Sequence, residues 1–383
     1  MENCIYAAQG CGGCSLLKTP YETQLVQKQA RIDELLSPFC SLEKIIGMDE
    51  PYHYRNKAIL SFAPVPHSRR FTSGIYAAGT HRLIPVENCL LQDKRLNEVL
   101  AEAADAAAKC HIPAYDEDRR SGLLRHIVAR RGVKTGEVSL AVVTAEAVFP
   151  GSRDFIKAIT RACPDIVTVV QNINPHKTSA VLGDTEKVLF GKGFLTDELC
   201  GNRFQISTRA FYQVNPVQME ALYALALEYA GLTGSESVLD AYCGIGTIAL
   251  TAAKKAKRVA GVELSAEAVK NARHNARING VKNAVFACGD AGETLAEAAR
   301  AGEHFDLVFL DPPREGASEK FLASLSAAAP KRVVYVSCGP ESLARDLSFL
   351  AKRGWRVVRA RPVDMFPHTE HVECVALMSR VEK

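Results

Sequence analysis

No stretch of this sequence approaches the ~18–20 consecutive apolar residues that span a bilayer. Its start, Met1-Glu-Asn-Cys-Ile-Tyr, lacks a basic run followed by an apolar one. A membrane span and a secretory signal peptide are therefore not expected; a soluble, cytoplasmic monomer is. Internal repeats and low-complexity linkers are missing too. Twelve cysteines are present, but without a secretory context they do not read as a disulfide framework. Clustered thiols in a reducing compartment are more often metal ligands or nucleophiles. Strong charge bias is also lacking: a formal net charge of +4 is compatible with nucleic acid without requiring it.

What is present is a chain of 383 residues, 47% of them hydrophobic, long enough for two well-buried cores. Its character changes near residue 210. Before that point short β-like runs alternate with turn signals: Ala58-Ile-Leu-Ser-Phe-Ala, then Gly74-Ile-Tyr-Ala-Ala-Gly. Leu123–Arg131 and Glu137–Thr144, separated by Gly132-Val-Lys-Thr-Gly136, read as a hairpin. Apolar residues at three- and four-residue spacing predict helices at about Pro20–Leu36 and Asp93–Cys110. Arg119, Arg120, Arg125, Arg130, Arg131 and Lys134 crowd together, preceded by Arg55, Lys57, Arg69, Arg70 and Arg82. Such a set reads equally as a phosphate-binding surface or as a solvated face.

After about Asn215 strands and helices alternate regularly. Strands are expected at Ser237–Ala241, Arg258–Glu263, Ala284–Ala287, Phe305–Leu310 and Arg332–Ser337, with a final pair near Trp355–Pro362 and Val372–Ser379. This pattern predicts a doubly wound, mostly parallel α/β sheet. The organisation expected is residues 1–92 as a cysteine-rich module with the start of a central domain, 93–209 as an α+β RNA-binding domain, and 210–383 as the α/β domain.

The chemistry-bearing motifs lie in the last part. Val238-Leu-Asp-Ala-Tyr-Cys-Gly-Ile-Gly-Thr247 is a strand, a glycine turn and a helix start, where backbone can approach a ligand closely. Glu263 ends the next strand about 20 residues on, placed to accept ribose hydroxyls, and Gly289-Asp290 follows a third strand. The order Asp240-x-x-x-Gly-x-Gly, Glu263, Asp290, Asp311-Pro-Pro resembles class I S-adenosylmethionine methyltransferases. A dinucleotide-binding domain is the competing reading of the glycines, and Asp311-Pro-Pro decides against it. Where amino-group methyltransferases carry an aromatic after Asp-Pro-Pro, this chain has Arg314. Val334-Tyr-Val-Ser-Cys-Gly-Pro340 places Cys338 directly after a buried strand, and His368-Thr-Glu-His-Val-Glu-Cys374 adds Glu373. A thiolate and a carboxylate at one sheet edge suit methylation at C5 of uracil, a poor carbon nucleophile until a thiolate adds at C6.

On these residues the chain resembles the bacterial RNA uridine-C5 methyltransferases, specifically the 23S ribosomal RNA members, from Cys4 to Glu373. The resemblance implies that Cys338 is the nucleophile and Glu373 the proton-abstracting base. It places Gln213, Tyr242, Thr247, Glu263, Asp290 and Asp311 at the cofactor. Phe211, in Phe211-Tyr-Gln-Val-Asn215, and Arg314 are placed at the target base. The family's fuller members begin with a small β-barrel RNA-binding domain, which is not expected among these residues. Cys4-x6-Cys11-Gly-Gly-Cys14, with Cys89 as fourth thiol, suits an iron–sulfur cluster or a zinc ion, which spacing does not separate. In the matched ribosomal RNA family these positions hold a [4Fe-4S] cluster, whereas the transfer RNA branch has none. The rival functions are methylation of another RNA base, and a non-catalytic iron–sulfur RNA-binding protein.

Overall fold

The computed structural model describes residues 4–68, 70–80, 82–177 and 180–381. Backbone contacts divide the chain into two compact units: Met1–Ser15, Pro51–Glu198 and Gln205–Arg209 in one, Leu16–Glu50, Leu199–Phe204 and Ala210–Lys383 in the other. This corrects the expected boundaries, because residues 16–50 belong with the C-terminal α/β unit. Helix α1 (Tyr21–Leu36) buries Ile32 and Leu36 in the core of that unit. The segment after it adds backbone hydrogen bonds to the sheet edge, from Glu43 N to Ala360 O and from Ile46 N to Pro362 O.

In the N-terminal unit β1 (Lys57–Pro64), β2 (Phe71–Tyr76) and β3 (Leu83–Ile84) precede α2 (Lys94–Lys109), β4 (Leu124–Arg131) and β5 (Val138–Thr144). They are followed by α3 (Ser152–Ala162), β6 (Ile166–Ile173) and β7 (Thr185–Gly191), and the sheet runs β3-β2-β1-β4-β5-β6-β7. β4 and β5 form the expected antiparallel hairpin. β5 and β6 are parallel, as the intervening α3 permits, since a parallel pair needs a crossover. Asp93 caps α2 by accepting from Arg95 N and Leu96 N, and the apolar stripes of α2 and α3 pack on one face of the sheet.

The basic cluster is only partly a surface. Arg125 and Arg130 are buried; Arg125 is paired with Glu117 and donates to the carbonyls of Asn174 and His176. Arg131 is paired with Asp93. Arg125 is therefore an internal support, because a buried guanidinium needs partners. Arg70, Arg82, Arg119, Arg120 and Lys134 are exposed, and Arg69 lies outside the described residues.

A two-stranded ribbon, β8 (Phe194–Leu199) and β9 (Asn202–Ser207), leads on to the C-terminal unit. There α4 (Pro216–Ala230) starts at an Asn215 cap with proline in its first turn. β10 (Ser237–Ala241), α5 (Thr247–Ala253), β11 (Arg258–Glu263), α6 (Ala266–Ile278), β12 (Ala284–Cys288) and α7 (Ala291–Arg300) follow. The chain continues through β13 (Leu307–Leu310), α8 (Glu319–Ala328), β14 (Arg332–Ser337), α9 (Pro340–Ala351), β15 (Trp355–Val363) and β16 (Glu373–Arg380). The sheet order is β12-β11-β10-β13-β14-β16-β15. β16 is antiparallel to both neighbours and the other pairs are parallel. The order reverses between β10 and β13, and ligands of open α/β sheets bind beyond the strand carboxyl ends at such a reversal. Among the described residues no helix is long and apolar enough to cross a membrane.

Candidate active site

The carboxyl ends of β10, β11, β13 and β14 meet at one edge of the C-terminal sheet. After β10 the chain turns through Tyr242, Gly244 and Gly246, with φ of 69°, 54° and 88°. The left-handed turn at Gly246 caps α5, a backbone conformation that disfavours a side chain, and a Cβ there would press on the Phe286 ring at 3.2 Å. Glu263 stands opposite this turn. It accepts from Gly244 N at 3.2 Å and from Ser265 N at 2.9 Å, which fixes the carboxylate and leaves lone pairs for a ligand's hydroxyls.

Asp290 caps α7, accepting from Glu293 N at 2.9 Å. Its charge still acts on the Tyr242 phenol, which burial first and Asp290 second push up to about 12. The Tyr242 ring packs 5.5 Å from Phe321. Thr247 opens α5 with its hydroxyl 3.1 Å from that of Tyr223. Gln213 is buried and Phe211, two residues earlier, is 73% exposed, so the bare aromatic is available to a flat ring.

Cys338 and Glu373 are brought together by strand register. Ser337 of β14 pairs with Cys374 of β16. One step further on each strand stand Cys338 and Glu373, and opposite positions of adjacent strands hold their side chains within contact range. Glu373 is buried, and burial, then the charge of Asp311, raise its carboxyl to about 8. Burial raises Asp311 to about 7. The Cys338 thiol is pushed up to about 11 by burial, then by Glu373 and Asp311, while Arg314 draws it down. Burial thus favours the protonated forms of Cys338 and Glu373, and a cation beside them would favour release of their protons.

Loop packing completes the rim. A Cβ at Gly339 would lie 2.5 Å from the Arg314 carbonyl, so glycine is what lets the segment after Asp311-Pro-Pro approach the Cys338 turn. The Arg314 guanidinium meets Nδ1 of His371, whose ring stands edge-on to Phe366.

Two residues absent from the expected set belong here. Asp240 is fully buried; one oxygen accepts from Ala249 N at 2.8 Å and the other has no hydrogen-bond partner among the described residues. Burial, Asp311 and Glu263 raise its pKa strongly. An orphaned buried carboxylate oxygen is costly unless a ligand or water meets it. Tyr223, buried in α4, feels Asp311, Asp240 and Glu373 together. The motif Asp240-x-x-x-Gly flags the first; Tyr223 carries no signal beyond core helical spacing.

The four expected cysteine ligands gather in the N-terminal unit. Burial, followed by Cys89, pushes the Cys14 thiol up to about 12, with Cys11 and Cys4 adding and Arg55 opposing. Cys4 and Cys11 pack on Tyr6, Ala77 and Ile84. Among the described residues, however, no three His, Cys, Asp or Glu side chains converge closely enough to hold a single metal ion.

A glycine turn, a carboxylate at the end of the next strand and acidic groups at the reversal point of this sheet define a class I S-adenosylmethionine-dependent methyltransferase. The family model described as tRNA (Uracil-5-)-methyltransferase matches residues 181–381. An RNA methyltransferase of Bacillus cereus named as uncharacterized is 43% identical, over 97% of this chain and 82% of that protein. One from Caldanaerobacter subterraneus subsp. tengcongensis is 42% identical over 99% and 84%. Among solved structures, the Pyrococcus abyssi tRNA (uracil-54, C5)-methyltransferase in complex with S-adenosyl-L-homocysteine superposes with a TM-score of 0.80. It is 27% identical, covering 96% of this chain and 86% of that one. The chain belongs to the RNA uracil-5-methyltransferase family, whose enzymes take their methyl group from S-adenosylmethionine.

Proposed function

We propose that this enzyme methylates C5 of a uridine in 23S ribosomal RNA through a covalent bond from Cys338 to C6. The observation that carries the covalent route is the register placing Cys338 beside Glu373, with Asp311 within electrostatic reach of both. In the proposed sequence the Cys338 thiolate bonds to C6, and the C5–C6 pair moves to C5 with charge spread onto the ring carbonyl. C5 then takes the methyl group, as the donor's sulfur–methyl bond breaks and leaves its electron pair on sulfur. Glu373, as carboxylate, removes the C5 proton; the electrons re-form the double bond and the C6–sulfur bond breaks. The methyl donor, when bound, supplies the methyl group and a positive charge that favours ionised Cys338 and Glu373. Glu263 and Asp290 would bind its ribose and adenine, with Gln213, Tyr242, Thr247 and Asp311 lining the pocket. Phe211 would stack on the target base and Arg314 would sit over it.

The choice of ribosomal RNA rests on the cysteine set. Cys4, Cys11, Cys14 and Cys89 share one electrostatic neighbourhood, and a multinuclear cluster spans wider ligand spacing than a lone ion. We propose that they hold a [4Fe-4S] cluster with a structural role. Anaerobic protein should then be brown and contain iron, and Cys11→Ser should lose it; a colourless, zinc-containing preparation would overturn this. A second reading, transfer RNA as substrate, is favoured by the likeness to the Pyrococcus abyssi enzyme. Methylation of unmodified total RNA, followed by separation of 23S, 16S and transfer RNA and nucleoside analysis, distinguishes them. 5-Methyluridine in 23S RNA supports the proposal, the same nucleoside only in transfer RNA supports the second reading, and N-methyladenosine refutes both.

A further inference from the structure

Helix α1 buries Gln24, Lys28, Ile32 and Leu36 at four-residue spacing. The last two join the apolar core. The first two are a carboxamide and an ammonium, and packing a helix onto a sheet calls for neither. Both converge on the connection between β15 and β16, residues 364–372, which ends at Glu373.

The Lys28 ammonium donates to Asp364 Oδ1 at 2.6 Å and to the Phe366 carbonyl at 3.1 Å. The other Asp364 oxygen accepts from the Tyr21 hydroxyl at 2.9 Å. Gln24 holds His368 twice: its oxygen accepts from His368 N at 2.9 Å, and its amide lies 3.1 Å from Nδ1. His368 is kept at φ 66°, a conformation a non-glycine residue adopts only when its surroundings impose it. The His368 carbonyl accepts from Leu16 N. From the other side, Asn215 and Gln218 at the start of α4 donate to the carbonyls of Met365 and Asp364. A buried ion pair is a weak source of net stability; this one sets the path of one connection. The connection closes with Val363 paired to Glu373 and presents His371 to Arg314.

We propose that Gln24 and Lys28 of α1 are positioning residues for the proton-abstraction step, clamping residues 364–368 so that the Glu373 carboxyl keeps its place against the Cys338 pocket. The inference rests on the proposed role of Glu373 as the base. Loosening the clamp leaves Cys338 and the donor pocket intact, so addition and methyl transfer proceed while release of the product slows. The adduct then accumulates, an outcome that simple destabilisation does not produce.

The test uses the full-length protein as Gln24→Leu and as Lys28→Met combined with Asp364→Asn, which avoids stranding a buried carboxylate. Folding is checked by the fluorescence of Trp355, the one tryptophan, buried in this unit. With unmodified RNA and S-adenosylmethionine, turnover should fall by about 10²-fold. The denaturation-resistant protein–RNA adduct should rise from a minor to the major species, with unchanged affinity for the donor. Folded variants that turn over normally, or that slow without accumulating adduct, overturn the clamp. Wild type with 5-fluorouridine RNA is the control. If it traps an adduct, failure of the variants counts against the clamp alone; if it traps none, the covalent reading falls and takes the clamp with it.

Discussion

Replacing Glu373 by glutamine should stabilise the C-terminal unit, by an amount that grows with pH. The carboxyl is 2% exposed and titrates at about 8 rather than 4.5, so in the folded state it keeps its proton where the unfolded chain has released it. For an acid raised in this way the folded state gains relative stability at low pH. That gain is complete below the unfolded value and is lost as pH rises towards the folded one. Each unit corresponds to about 1.4 kcal/mol. Between about pH 4.5 and pH 8 the loss therefore approaches about 5 kcal/mol, and above pH 8 it levels off. Glutamine is neutral throughout and close in shape to the protonated acid, so the two proteins should be nearly equal at about pH 5. Asp311, raised by burial, is present in both proteins, and its charge is part of the Glu373 shift that glutamine removes. Urea denaturation followed by Trp355 fluorescence, at steps between about pH 5 and pH 9, measures the difference. A gap that does not change with pH, or one that favours wild type as pH rises, would refute the buried-acid account of the base.

Glu263→Ala removes a carboxylate that supports the Gly244 turn and is proposed to bind the donor's ribose. Calorimetric binding should show S-adenosylmethionine weakened by about 1.5–3 kcal/mol, and unchanged affinity would mean the pocket lies elsewhere. Gly339→Ala forces a Cβ to within 2.5 Å of the Arg314 carbonyl. It should cost about 1–3 kcal/mol of stability, and the surviving folded protein should form the Cys338 adduct more slowly in a gel-shift time course.

The C-terminal unit is the most legible part of the sequence. Strands Ser237–Ala241, Arg258–Glu263 and Arg332–Ser337 stand where apolar runs and glycine turns predict them, because the first and last are almost wholly buried and the middle one buries Val259, Gly261 and Val262. The helix at α1 is legible too, from its spacing, but its attachment is not. Its partners, Asp364 and His368, lie more than three hundred residues away, and no local signal links them. Arg125 and Arg130 show the same limit in reverse: a run of arginines reads as surface until the fold closes over two of them and gives Arg125 Glu117 and two backbone carbonyls. β6 gives little local signal, since it is buried on both faces and has no alternation to betray it. Asp240 is visible as part of a motif, but its unmet oxygen emerges only once burial and Ala249 N are known.

The central claim is that Cys338 bonds to the target uridine and Glu373 releases it, and trapping the bond tests this most directly. Wild type, Cys338→Ala and Glu373→Gln are each incubated with S-adenosylmethionine and unmodified RNA, then denatured, digested and analysed by mass spectrometry. The account predicts that Glu373→Gln accumulates a methylated uridine attached to the peptide containing Cys338. Cys338→Ala should show none, and wild type should release free 5-methyluridine. An adduct on Cys338→Ala, or normal turnover by Glu373→Gln, would contradict it.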